Sequence, residues 1–254
     1  MTDSSSPNAT PSMLFFVIIT TIFFMIKYYT KDPKQNIIWT VVYILILVVS
    51  QLIINLKISE QICGTQQWGT AYTVTLVPWI VVFGMLQVML MMFPGWKTPF
   101  ANTFGYGLSK LTGINDTLNN ILLPKLSKKD GNSKSNEALE HIYADKSLLL
   151  NEITEDNFDG FWNNMSSANL FKGDASNYKS TLYDFVKFKY LVSEYIWFIL
   201  AGALVISMSF NYMVSSSCKK SVDDMIEIND KFNDEQKSNK YKDPKARKIY
   251  TSYE

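Results

Sequence analysis

Apolar residues are gathered into four long runs, separated by stretches rich in Lys, Asn, Asp and Ser. Such runs predict membrane-crossing helices, because about 20 apolar residues at 1.5 Å each match a hydrocarbon core of roughly 30 Å. The first run, Met13 to Tyr29, is near the lower limit and spans if Lys27 snorkels to the interface. The second, Ile37 to Leu56, follows a short turn containing Pro33 and forms a helical hairpin with the first. The third, Tyr72 to Phe93, contains Pro78, which predicts a kink whose freed carbonyl must be satisfied by a neighbour, a Thr hydroxyl or water. The fourth, Tyr190 to Val214, carries Tyr190, Tyr195 and Trp197 at one end and Tyr212 at the other, as interfacial aromatic belts do.

The polar stretches have patterns of their own. After the third run, Phe100, Phe104, Leu108 and Leu111 recur at helical spacing, which predicts an amphipathic helix in the membrane interface. Gly105 and Gly107 keep a re-entrant loop as the alternative. A second amphipathic piece, Ile114 to Leu123, ends at Pro124, and a Lys/Ser/Asn-rich linker follows. Beyond it, Leu139, Ile142, Tyr143, Leu149, Leu150 and Ile153 fall on one face, and Phe158, Phe161, Trp162 and Met165 repeat the pattern, predicting two or three short helices. So small a piece buries little by itself. It is expected to pack on the membrane surface, on an extension of the fourth span, or on another protein.

The expected fold is therefore an all-α membrane protein with about four transmembrane helices, interfacial amphipathic helices and a small helical extramembrane segment. Its parts are a polar N-terminal segment (1–12), three spans (13–93), an interfacial segment (94–126), a polar helical segment (127–189), the fourth span (190–214) and a charged tail (215–254). In the tail, Val222, Met225, Ile226 and Phe232 suggest one more amphipathic helix, and residues 237–248, including Lys245, Arg247 and Lys248, are strongly basic. That basic end fits anionic lipid, nucleic acid or an acidic protein face, or else a solvated tail.

Charge and cysteine content sharpen this only locally. A net charge of +1 over 254 residues favours neither nucleic acid nor an acidic substrate, and nucleic acid is not expected as a partner. Lys27, Lys31 and Lys34 between the first two spans, against no basic residue before them, place both termini outside by the positive-inside rule; Lys219 and Lys220 argue the other way. The two cysteines, Cys63 and Cys218, lie in no metal-binding motif and are read as free thiols, a single bridge between them being the alternative.

Candidate chemistry is sparse. Gln51 and Asn55 share a face of span two, Ala203, Ser207 and Asn211 form an i, i+4, i+8 row on span four, and Gly84 interrupts span three. These are read as helix-packing positions rather than a lined pathway, because the span centres hold no Asp, Glu, Arg or His. His141 is the single histidine. With no clustered acids and no Cys/His set, no catalytic residue, cofactor or metal site is expected, and the chain is not read as an enzyme. Three Asn-X-Ser/Thr sequons, at Asn8, Asn115 and Asn164, match chance in so Asn-rich a sequence.

At Cys63-Gly64, Gln67-Trp68, Pro78-Trp79 and above all Phe93-Pro94-Gly95-Trp96-Lys97-Thr98-Pro99-Phe100-Ala101-Asn102-Thr103-Phe104-Gly105-Tyr106, the chain resembles multispan virion membrane proteins of large icosahedral double-stranded DNA viruses of algae and protists. The resemblance covers roughly residues 60–110. It implies a structural minor capsid protein in an internal lipid membrane derived from host endomembrane, contacting capsid or other minor capsid proteins. Trp96, Phe100, Phe104, Phe158, Phe161, Trp162 and the basic trio Lys245, Arg247 and Lys248 are the candidate partner contacts. A small homo-oligomeric channel or transporter is the alternative, with Gln51, Asn55, Ser207 and Asn211 lining it.

Overall fold

The computed structural model describes residues 8–30, 32–123, 133–216, 218 and 222–242. These are predominantly helical, and four of the helices are long and apolar enough to cross a membrane. Helix α1 spans Thr10–Tyr29, with Pro11 in its first turn. Its end is closed by Thr30, whose amide and hydroxyl both donate to the Ile26 carbonyl (3.0 and 2.8 Å). Helix α2, Pro33–Cys63, starts on the Asp32 side chain, which accepts from the Lys34 amide at 3.0 Å, and stops at Gly64 in the left-handed region (φ 73°). A 31-residue helix is about 46 Å long at 1.5 Å per residue, so α2 is longer than a hydrocarbon core of roughly 30 Å is thick.

Helix α3, Trp68–Met92, contains the expected irregularity at Pro78. It takes the form of a π-helical stretch, Pro78–Phe83, with α-helix on either side. Proline removes one amide from the ladder, and the wider turn is the local adjustment by which the helix carries that loss. After a 3-10 turn, Pro94–Lys97, helix α4 runs over residues 98–111 and is itself π-helical at Ala101–Gly105. Short helices α5 (Ile114–Ile121), α6 (Ser133–Ala144), α7 (Ser147–Glu152) and α8 (Phe158–Ser167) follow. Helix α9, Lys179–Ser215, is the longest at 37 residues, and α10, Val222–Lys242, lies in the tail.

Three buried clusters are strung along α9, two large ones and a smaller one at its end where Leu56, Ile58, Ala71, Val74 and Met213 pack together. In the first, α1, α2, α3 and the apolar part of α9 enclose Phe16, Phe23, Phe24, Tyr43, Leu47, Trp79, Phe83, Phe198, Val205 and Ile206. Aromatic rings fill its centre, with Phe23 stacked on Tyr43 at 4.3 Å and Phe198 edge-on to Phe24 and Phe83. The outer faces of the same helices expose Ile18 and Ile22, Ile46 and Ile53, Ile80 and Met85, Leu200 and Leu204. An apolar surface of this extent is unstable in water and matches a lipid environment.

In the second core, α5, α7, α8 and the first turns of α9 bury Ile114, Leu118, Ile121, Leu150, Ile153, Phe158, Trp162, Leu182 and Val186. Of the three supports anticipated for this segment, the extension of the fourth span is the one observed. Leu122 and Phe171 form an antiparallel bridge, flanked by Leu123 N–H donating to Leu170 O (3.0 Å) and Lys172 N–H to Ile121 O (2.8 Å). The turn into α8 is closed reciprocally, the Thr154 amide donating to Asn157 Oδ1 (2.7 Å) and the Asn157 amide to Thr154 Oγ1 (3.1 Å).

The far end of the bundle corrects the reading of the cysteines. Cys63 and Cys218 are joined in a disulfide, with Cα atoms 5.5 Å apart. The bridge ties the end of α2 to the end of α9, on the side opposite the helical unit. Four spans would put both residues at the same end of the bundle, but the convergence of the two helix ends is a tertiary feature.

Candidate functional site: the shared helix and the interfacial end of the bundle

Polar side chains inside the bundle pair with one another between helices. Ser12 of α1 donates to the Gln51 side-chain carbonyl of α2, and the Gln51 amide donates back to the Ser12 backbone carbonyl at 3.3 Å. Thr20 and Tyr43 hydroxyls meet at 3.0 Å, as do Thr21 and Tyr195. Asn55 donates to Thr75 of α3 at 2.8 Å, while Thr75 donates to the Ala71 carbonyl. Near the end of the bundle that faces the helical unit, the Lys27 ammonium meets the Glu194 carboxylate at 2.5 Å. The only two charged residues that intrude on spans one and four are thus each other's partner, the arrangement that makes charge tolerable at a membrane boundary.

The small-residue reading of span four needs correction. Ala203 is half-buried, and Ser207 and Asn211 are exposed on the outer face of α9. The packing face lies two positions back, in the row Ala201, Val205, Ser209 and Met213, with Gly202 beside it. Gly202 marks the close approach: a Cβ there would sit 2.0 Å from Phe16 Cζ. Gly84 is the opposite case, since a Cβ at that position meets nothing within 4 Å. It follows the π-helical stretch and marks no helix contact.

Where the bundle meets the helical unit, α4 lies against α9. Its Ala101, Gly105 and Ser109 are buried at i, i+4, i+8, while Phe104, Leu108 and Leu111 are exposed on the other side. The interfacial segment is therefore helical, and the glycine that argued for a loop is required by contact. A Cβ at Gly105 would come within 2.5 Å of the Lys189 backbone oxygen.

Lys189 is fully buried at the junction, one residue before the apolar run of α9. Its ammonium donates to the Leu150 carbonyl at 2.7 Å and the Ile153 carbonyl at 3.1 Å, and lies 4.9 Å from the centre of the Tyr190 ring. These carbonyls belong to the end of α7 and the residue that follows it; Leu150 O also accepts the Ile153 amide at 3.3 Å, and the carbonyls of a last turn lack the full set of intrahelical donors. The lysine therefore caps one helix while standing on another. Burial pulls its ammonium down to about 8, partly opposed by Glu152. At the other end of α7, the Asp145 carboxylate accepts from the Ser147 amide at 2.9 Å, and hydrogen bonding to Ser147 holds it below its usual range.

The candidate contact residues separate into three groups. Phe158 and Trp162 are buried in the helical unit with Phe161 half-buried beside them, so these three serve its core and are not free for a partner. Trp96 stays partly exposed, with Phe93 stacked on it at 5.6 Å and Trp197 at 5.8 Å; Phe100 is half-buried and Phe104 exposed. Lys245, Arg247 and Lys248 lie outside the described residues, and Lys31, Lys219 and Lys220 do also. Met225, Ile226 and Phe232 of α10 are exposed. Among the described residues, no three His, Cys, Asp or Glu side chains gather as a metal site requires.

Lys189, Gly202 and the hydroxyls Ser12, Thr20 and Thr21 were not singled out by sequence reasoning, and Gly105 was read as a sign of a loop rather than of a close contact. A lysine directly before an aromatic-flanked apolar run was the one available signal for Lys189, and snorkelling to the interface explains that pattern equally well. Comparison with protein-family models, curated proteins and solved structures gave no match.

Proposed function

We propose that this chain is a structural membrane protein that holds a helical docking unit rigidly against one face of a bilayer. Following the resemblance at residues 93–106, that bilayer is the internal membrane of a virion and the docked partner is a capsid or minor capsid protein. The observation that carries the reading is α9. One unbroken 37-residue helix supplies Phe198, Val205 and Ile206 to the bundle core and Leu182 and Val186 to the core of the helical unit. A unit built on the same helix as its anchor has no hinge, so force on it passes straight into the bundle.

Orientation follows from two independent features. Disulfides persist in oxidising compartments, which supports an exoplasmic or lumenal setting for the Cys63–Cys218 end, against the signal of Lys219 and Lys220 beside it. Lys27 and Lys34 are at the opposite end, where the positive-inside rule places the cytosol. The helical unit then faces the cytosolic side, where a capsid shell assembling on an endomembrane would meet it.

Cross-linking mass spectrometry on intact purified particles tests the proposal, with links from Lys97, Lys146 and Lys172 to capsid proteins as the expected result. A protein that links only to itself, while other membrane proteins of the particle link to capsid, sinks it. The outward placement of Ser207 and Asn211 on an apolar helix favours one second reading, a homo-oligomer with a polar seam. Reconstituted ion flux that disappears in Asn211→Leu would select that reading instead.

A further inference from the structure

Three cavities at the interfacial end of the bundle share walls and run in one line. The innermost, about 390 Å³, opens between α1, α2, α3 and α9 and is lined largely by Phe23, Ile44, Phe83, Leu90, Met91 and Phe198. Gln87 also lines it, and Gln87 Nε2 is buried with no hydrogen-bond partner among the described residues. At the outer end of this cavity stand Lys27, Glu194 and Lys97, which also line the next one, of about 550 Å³. There Tyr28, Tyr29 and Tyr190 join them. The third, about 410 Å³, has Lys97 on one side and Glu155 and Asp156 on the other, with Tyr190 between the elements that carry them.

The lining changes from an apolar slot with one amide donor to Lys97, and then to Glu155 and Asp156 with the Tyr190 ring; Asp184 and Lys187 also line the middle cavity. Lys27 is neutralised by Glu194, whereas Lys97, Glu155 and Asp156 make no ion pair among the described residues. We infer that the groove holds one zwitterionic glycerophospholipid. One acyl chain fills the apolar slot, and an ester carbonyl of the glycerol accepts from Gln87. The phosphate sits at Lys97, and the ammonium of the headgroup lies against Glu155, Asp156 and the Tyr190 ring. An anionic lipid would satisfy Lys97 but place its remaining polar headgroup among uncompensated carboxylates, so the pair Glu155 and Asp156 selects for the ammonium. Volumes of this size suit a lipid-sized ligand, most of whose surface is buried apolar contact with a few placed polar groups.

The inference rests on the membrane reading of the chain, and the test separates the two. Full-length protein is first extracted from membranes with alkaline carbonate. Release into the aqueous phase overturns the membrane reading and the lipid site with it, while retention leaves the site to be judged by itself. Detergent-solubilised protein is then incubated with phosphatidylcholine or phosphatidylglycerol of identical acyl chains and examined by native mass spectrometry. One phosphatidylcholine per chain is expected to survive gas-phase activation, at least tenfold over phosphatidylglycerol. Lys97→Glu should abolish that retention, Gln87→Leu should weaken it, and Glu155→Lys with Asp156→Lys should turn the preference toward phosphatidylglycerol. Lys97 lies in a 3-10 turn and Glu155 and Asp156 in the turn before α8, while Gln87 lines the inner cavity from α3; an unchanged helical circular dichroism spectrum certifies each variant as folded. Equal retention of both lipids by the wild type, or a folded Lys97→Glu protein that keeps its phosphatidylcholine, overturns the site while the membrane reading stands.

Discussion

At the residue scale, the decisive positions are those where one side chain has nowhere to go. A Cβ at Gly202 overlaps the Phe16 ring, so Gly202→Val should destabilise the solubilised bundle by about 1–3 kcal/mol, the usual cost of overpacking. Trimming the obstruction with Phe16→Ala should recover part of the loss in the double variant, as read by denaturant unfolding. Lys189 makes a second prediction, this time in pH. Its folded-state amine titrates near 8, below its ordinary value of 10.5. Between those values the unfolded chain binds a proton that the native one does not, so native stability rises with pH across that window. Urea unfolding followed by Trp162 fluorescence should show that rise in the wild type and a flatter profile in Lys189→Met. The variant should be the less stable of the two above pH 10, because Ile153 O loses its lysine donor and Leu150 O is left with the Ile153 amide alone.

Elements were legible where periodicity is long and one-sided, and less so where two helices share a face. The four apolar runs, the short helices after residue 133 and the break at Pro78 all follow from spacing and side-chain type. The face of α9 that packs inward did not, because Ala203, Ser207 and Asn211 and the buried set at Ala201, Gly202 and Val205 are both plausible small-residue stripes. Which stripe wins depends on where Phe16 arrives, and that is tertiary information. The disulfide was equally illegible, since two cysteines at helix ends reveal their side of a bilayer but not their separation. The aromatic residues of α8 allowed two readings, helix-face packing or partner contact, for a related reason: a helix face reads the same whether it covers its own core or a partner. Helix α4 offers the test at this scale. Gly105→Val presses a methyl-bearing carbon into the Lys189 backbone oxygen, which cannot rotate aside, so α4 should lift from α9. A cost of about 1–3 kcal/mol would raise the open population, and with it tryptic cleavage at the exposed Lys110, roughly 5- to 150-fold.

Across the whole molecule, the Cys63–Cys218 bond makes the chain a closed ring of residues 63–218 with a tail at either end. Helices α3 to α9 all belong to that ring. A single cut by a protease anywhere inside it linearises the loop and releases nothing, so nicked and intact protein should migrate alike until a thiol is added and two fragments part. The covalent link lies at the face opposite the helical unit, so a cut made at the unit is held together from across the bundle. If the proposed orientation is right, the two events belong to different compartments: a protease in the cytosol can sever the strand, and only a reductant on the far side can let the halves go.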